Sequence, residues 1–248
     1  MNLIDSPKDT ASLAGVPAET LSIQVYLTIR DRIFRGEWLP GTRLTLRALA
    51  AELGTSVQPV RDAISKLTVE RVLILRPNYS VQIPGIDRLM MDELFSMRNL
   101  LEAEAARRCA SLMSDVDIDE LEEAIRATRR VYTLETATAN RVGEIQNVAR
   151  MLALKSGSST IAEQIINLRT RTAPYYAAAL SRDDHEGNRD PEFVIFTIRI
   201  QDEFVRALRR RDSVAAAEIR KVDLYTFQHY IYRLINVPQN DASSADPR

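Results

Sequence analysis

The side chains that could do covalent or metal chemistry are few. The 248 residues include two His, His185 and His229, and one Cys, Cys109. A single Cys excludes intrachain disulfides and paired-Cys metal knuckles and points to a reducing cytoplasm. Four residues ahead of the two His stand Ser181 and Tyr225. Neither His therefore has an Asp one helical turn away with which to share a metal. No Gly-rich phosphate loop occurs, and no nucleophile–base pair or carboxylate motif stands out, so the chain does not read as an enzyme. The chemistry its spacing does offer is polyanion recognition. Arg61 follows a break at Gly54, Thr55 and Ser56, and Ser56, Val57 and Gln58 open the segment that carries it. Guanidiniums pair with phosphates, a Ser at a helix start adds an anion donor, and amide or guanidinium forks read base edges.

Short helices are needed to hold those residues, and the pattern supplies three. Val25, Ile29 and Ile33 recur every four residues and predict a helix over 21–35. Thr45 is the expected N-cap of a short second helix whose Leu46, Leu49, Ala50 and Leu53 share one face, with Gly54 as its stop. Ser56 caps the third, in which Pro59 sits in the first turn and Val60, Ile64 and Leu67 form the buried stripe. Val57, Gln58, Arg61 and Ser65 are left on the outward face. Two short β-branched runs about a turn at Pro77 and Asn78 read as a hairpin.

Beyond Ile86 strand signals cease. Amphipathic segments can be drawn at 88–112, 117–137, 140–155, 159–180, 191–211 and 213–235. Asp117, Ser158, Asp190 and Asp212 or Ser213 are the expected start signals, and Pro174 the expected kink. The expected fold is mainly α: a winged helix-turn-helix of three helices and a hairpin wing, followed by an all-α six-helix bundle. The bounds read as a flexible arm at 1–20, the DNA-binding module at 21–88, an all-α effector-binding and dimerisation domain at 89–236, and a disordered tail at 237–248. Charge agrees with this division. Residues 21–88 hold ten Lys/Arg against six Asp/Glu, whereas the whole chain holds 33 against 34. A basic module on an otherwise acidic chain suits a polyanion partner. No stretch approaches the roughly 18 apolar residues of a membrane helix. The first twenty residues carry one Lys and no apolar run, so no secretory leader is expected.

The segment over 36–84 resembles the DNA-binding domain of the GntR family of bacterial regulators. That pattern runs G-x-x-x-P-G-x-x-L, then L-A, then G-V-S-x-x-P-V-R-x-A-L-x-x-L, then a wing P-N-x-G. Gly36, Pro40, Gly41, Leu44, Leu49, Ala50, Gly54, Ser56, Pro59, Val60, Arg61, Ala63, Leu67, Pro77 and Asn78 match it in order. The resemblance implies a homodimer on an inverted repeat in double-stranded DNA. It implies DNA contacts at Thr45, Arg47, Ser56, Val57, Gln58, Arg61, Arg71, Asn78 and Ser80. Three positions depart from the family. Val57 stands where Arg is frequent; Arg reads guanine bidentately, while Val meets only a thymine methyl, which leaves Gln58 to address an adenine edge. Ser80 replaces the wing-tip Gly. Arg71 stands where Gly usually precedes the wing and offers a phosphate contact.

The chain over 89–236 resembles the FCD effector-binding domain of the FadR subgroup. Arg98 and Glu102 match its opening R-x-x-x-E, and Val205, Ala207, Leu208, Asp212 and Ala216 match its closing pattern. Six segments fit the six-helix, VanR-like variant rather than the seven-helix, acyl-CoA-binding one. Most such domains hold a divalent metal through an Asp and three His. Carried over, those positions fall at Ile145, Ala149, Gln201 and Asp223. The resemblance therefore implies a lost metal site, and no cofactor is expected. Arg98, Gln201, Asp223 and Ala149 are the candidate effector contacts, with Arg98 pairing the carboxylate or phosphate of a small acidic metabolite. The alternative for the same residues is a buried network that merely holds the bundle together. Tyr175, Tyr176, Tyr225 and Tyr230 are expected core or interface aromatics, and the Arg run at 206–211 a solvated helix end. The expected function is a cytoplasmic, ligand-responsive repressor of catabolic or transport genes, with no membrane partner. The competing reading is a DNA-binding dimer whose helical half senses nothing.

Overall fold

The computed structural model describes residues 18–76, 80–133, 138–185 and 190–236. The arm through residue 17, Pro77 and Asn78 of the expected hairpin turn, part of the polar loop before Asp190 and the tail from 237 lie outside the described residues. The described elements are, in order, α1 (Ala18–Phe34), β1 (Arg43–Thr45), α2 (Leu46–Glu52), α3 (Val57–Val69), β2 (Ile74–Arg76), β3 (Ser80–Gln82), α4 (Arg88–Leu112), α5 (Asp115–Thr133), α6 (Thr138–Lys155), α7 (Ser159–His185), α8 (Pro191–Arg209) and α9 (Ser213–Leu234). Two compact units result. One is the chain up to Arg30 together with Arg43–Gln82; the other is Asp31–Thr42 together with the chain from Ile83. The division falls inside α1 and sets Asp31–Thr42 with the bundle, where periodicity alone assigns it to the 21–88 module.

In the first unit, Val25 and Ile29 of α1, Leu49 and Ala50 of α2, and Val60, Ile64 and Leu67 of α3 form a buried core closed by Val81 of β3. Thr45 caps α2: its side chain accepts from the Ala48 N–H at 3.2 Å. α2 ends on Gly54, whose φ of +62° is the left-handed conformation a helix stop requires. The wing has three antiparallel strands rather than two, in the order β1-β3-β2. β1 was not visible in the pattern because three residues carry no alternation. Ser56 has N-cap backbone geometry, but its hydroxyl makes no capping bond.

In the second unit, α4 packs along α9 and α7, and α6 lies between α5 and α7. One core gathers Phe95, Tyr175, Tyr176, Phe193, Phe227, Tyr230 and Ile231; another gathers Cys109, Ile118, Leu121, Leu152, Phe204 and Leu208. Asp190 caps α8 and Asp212 caps α9, as their spacing predicts. At α5 the cap is Ser114 rather than Asp117. Asp117 accepts from the Ser114 N–H and Oγ, and its own N–H donates to Ser114 Oγ, the reciprocal capping box. α7 continues through Pro174 as one helix. Among the described residues no helix is long and apolar enough to cross a membrane.

Candidate DNA-binding and effector-binding sites

α3 is amphipathic, and burying Val60, Ala63, Ile64 and Leu67 turns its other face outward. Gln58, Arg61 and Ser65 are exposed on that face, with Ser56 exposed and Val57 half-buried at its N-terminal end. Thr45 and Arg47 are exposed at the start of α2, and Ser80 is half-buried in the wing. α1 braces α3: Tyr26 Oη donates to Glu70 at 2.8 Å, and Lys66 Nζ lies 4.1 Å from the Tyr26 ring centroid. Burial and the Glu70 acceptor push the Tyr26 hydroxyl up to about 12, so this donor stays protonated. Arg71 has φ +58° at the position just past α3. Its N–H reaches Thr68 O, and the next N–H reaches Leu67 O. This is the helix-stop geometry that Gly ordinarily supplies, and it explains the family preference that Arg71 departs from. One residue on the outward face was not singled out by sequence reasoning, Asp62. It accepts from Gln58 Nε2 at 2.9 Å. The signal was present, since Gln and Asp four apart on a helix are neighbours.

In the bundle, Glu102 is the centre of a buried charge cluster drawn from three helices. Its Oε1 accepts from Arg98 Nε of α4 and from Arg169 Nε of α7, each at 2.9 Å. Its Oε2 accepts from Arg169 Nη2 and from Arg220 Nη2 of α9, each at 2.6 Å. Arg220 also donates to Asp223 at 2.6 Å, and Arg169 to Gln146 of α6 at 2.9 Å. Arg98 is fully buried, reaches Thr172 Oγ1 at 3.2 Å and lies over the Phe95 and Tyr176 rings. Burial alone would raise the Glu102 carboxyl. Arg169, Arg98 and Arg220 outweigh burial and hold it well below the usual carboxylate range. Three guanidiniums thus face two carboxylates. Arg220 Nε is a buried donor with no hydrogen-bond partner.

The structure brings Arg98 and Asp223 together through Glu102 and Arg220. It places Gln201 differently: Arg129 Nε of α5 donates to Gln201 Oε1 at 3.0 Å, and Arg129 Nη2 to the adjacent Asp202. Ala149 is buried and apolar. Arg169, which the sequence analysis did not single out, is 2% exposed. Of the four aromatics expected in a core or interface, Tyr175, Tyr176 and Tyr230 are buried, while Tyr225 is 59% exposed. The four carried-over metal positions supply two aliphatic side chains, an amide already bonded to Arg129 and a carboxylate already bonded to Arg220. This donor set does not fit a divalent transition metal. Among the described residues no group of three or more His, Cys, Asp or Glu could hold one.

A winged helix-turn-helix ahead of an all-helical bundle with a charged interior defines a transcriptional regulator with a DNA-binding and an effector-binding domain. Residues 21–83 match the family described as bacterial regulatory proteins, gntR family, and residues 93–223 match the FCD domain. The chain belongs to the GntR family and carries an FCD domain; it is a bacterial DNA-binding transcriptional regulator. The HTH-type transcriptional regulator McbR of Escherichia coli K12 is 26% identical over 159 residues, which is 62% of this chain and 70% of that protein. The HTH-type transcriptional repressor RspR of the same strain is 26% identical over 113 residues, which is 46% of this chain and 50% of that protein. Among solved structures, E. coli McbR/YncC superposes with a TM-score of 0.73 at 22% identity, covering 86% of this chain and 97% of that one. A GntR transcriptional regulator from Rhodococcus sp. RHA1 does so at 0.68 and 20% identity, covering 86% and 98%. Both likenesses show the fold.

Proposed function

We propose that this regulator is a cytoplasmic, non-enzymatic homodimer that represses genes from a short inverted repeat and is released by a small acidic metabolite held without a metal. The observation that carries the ligand reading is a buried cluster with one guanidinium more than it has carboxylates, in which Arg220 Nε has no hydrogen-bond partner. Buried polar groups are nearly always satisfied, so a spare charged donor marks a place for an anion. The relative RspR is named a repressor, which supports repression. A two-fold dimer carries two symmetric reading helices, which supports an inverted repeat.

Screening acidic metabolites by thermal denaturation and by release from operator DNA tests this reading. A true effector raises apparent stability by about 2.7 kcal/mol at one hundred times its dissociation constant and weakens DNA binding. Arg98→Ala should remove both responses while sparing DNA affinity, because the anchoring contact carries the differential affinity that shifts the equilibrium. Arg98→Lys, which keeps the charge but not the fork, guards against simple misfolding. A folded Arg98 variant that still responds fully moves the sensor site elsewhere. A protein that no anion stabilises supports a bundle that only dimerises.

A further inference from the structure

Asp62 is the one acidic residue of α3, and it stands on the face turned outward for DNA. A carboxylate there repels phosphates, so electrostatics alone argues against it. Its geometry supplies a role. Gln58 Nε2 donates to Asp62 Oδ1 at 2.9 Å, and Ser22 Oγ of α1 donates to Oδ2 at 3.4 Å. Each carboxylate oxygen is therefore engaged, and the carboxylate is tied to a second helix. An ionised carboxylate only accepts, so Gln58 must turn its NH2 and not its carbonyl toward Asp62. The amide flip is fixed by that constraint. Oε1 and the second N–H are left for a base. The major-groove edge of adenine asks for that pair, an acceptor for its N6 amino group and a donor for N7. An unrestrained Gln samples both flips and loses more rotamer freedom on binding.

We infer that Asp62 is a positioning residue that locks the Gln58 amide in the orientation that reads adenine, and so sets the base preference of each operator half-site without touching DNA. The inference rests on the reading that α3 enters the major groove. It is tested by selecting binding sites from a randomised double-stranded pool at fixed salt. The proteins are the full-length wild type, Gln58→Ala, Asp62→Asn and the double variant. Asn keeps the shape of Asp but donates as well as accepts, so it releases the lock without opening a hole; a melting curve confirms that each variant is folded.

The wild type should select an inverted repeat with an adenine in each half-site that Gln58→Ala no longer prefers. Asp62→Asn should lose preference at that same base pair, on the order of tenfold, and bind unrelated DNA no more weakly. The double variant should match Gln58→Ala there. An unchanged Asp62→Asn motif overturns the positioning role. So does a loss at a different base pair, or a loss that persists in the Gln58→Ala background, since either makes Asp62 a direct contact. If Gln58→Ala itself changes no preference, the placement of α3 is wrong and the inference falls with it.

Discussion

At Glu102 one carboxylate meets three guanidiniums in a setting where none of the four is exposed to more than a few per cent of solvent except Arg220, at 8% for the residue. Removing the carboxylate strands buried cations, so Glu102→Gln should cost roughly 3–5 kcal/mol at neutral pH. The pH dependence has a definite sign. The folded-state pKa is depressed below the unfolded value of about 4.3. The stabilisation is therefore complete above that value and is lost as pH falls toward the folded one. Urea titrations should show a constant gap between wild type and Glu102→Gln from pH 7 to 5, narrowing below pH 4 as the unfolded carboxyl takes its proton. A gap that stays constant to pH 3 contradicts the cluster's role. Part of this site was legible. Arg98 and Glu102 are four apart on the apolar stripe of α4, and family resemblance marked both. Arg220 was not singled out from the sequence, though it was legible: Ala216, Leu224, Phe227 and Ile231 around it are apolar and all buried, and a charge on such a stripe must find a partner. Arg169 and Gln146 were not, since their partners come from helices 67 and 23 residues away along the chain, which periodicity cannot connect. The carried-over Gln201 failed for the same reason: its neighbour on α5 is 72 residues distant.

Helix ends decide how the elements present these residues. α1 stops at Gly36, whose φ is +72°, and a Cβ there would lie 3.0–3.1 Å from the side chains of Val142 on α6 and Ala177 on α7. Gly36→Ala should therefore cost about 1–3 kcal/mol by crowding, with backbone strain in addition, read as a lowered melting temperature. Arg71 is the opposite case, a side chain where the backbone favours Gly. Arg71→Gly should leave the fold unharmed or about 0.5–1 kcal/mol more stable. It should also reduce the slope of log affinity against log salt by about one if Arg71 meets a phosphate. A destabilised Arg71→Gly protein with unchanged salt dependence would assign Arg71 a packing role instead. Most of the helices were readable from apolar residues recurring at helical spacing, and several also carry a side-chain cap, as Asp190 and Asp212 show. β1 was not readable, because its three residues are specified by pairing with β3 rather than by their own pattern. Ser114 was passed over because Asp117 is also a common capping residue, and only the reciprocal bonds separate N-cap from N3.

For the whole molecule, the donor set at the family's metal positions sets a simple expectation. Purified protein should carry no stoichiometric zinc, nickel or manganese, and EDTA should not move its melting temperature. One metal per chain by elemental analysis would show that the ligand positions were carried over wrongly. Recognition of a specific duplex by the outward face of α3 underlies the proposed function. Its most direct test is to retain genomic fragments on the purified full-length protein at fixed salt and sequence them, beside Arg61→Ala. The wild type should enrich a short inverted repeat. Arg61→Ala should weaken retention of every fragment if Arg61 holds phosphate, or relax one base pair of each half-site by about 1–3 kcal/mol if it reads an edge. No enriched sequence, or the same repeat retained equally well by Arg61→Ala, would contradict that recognition.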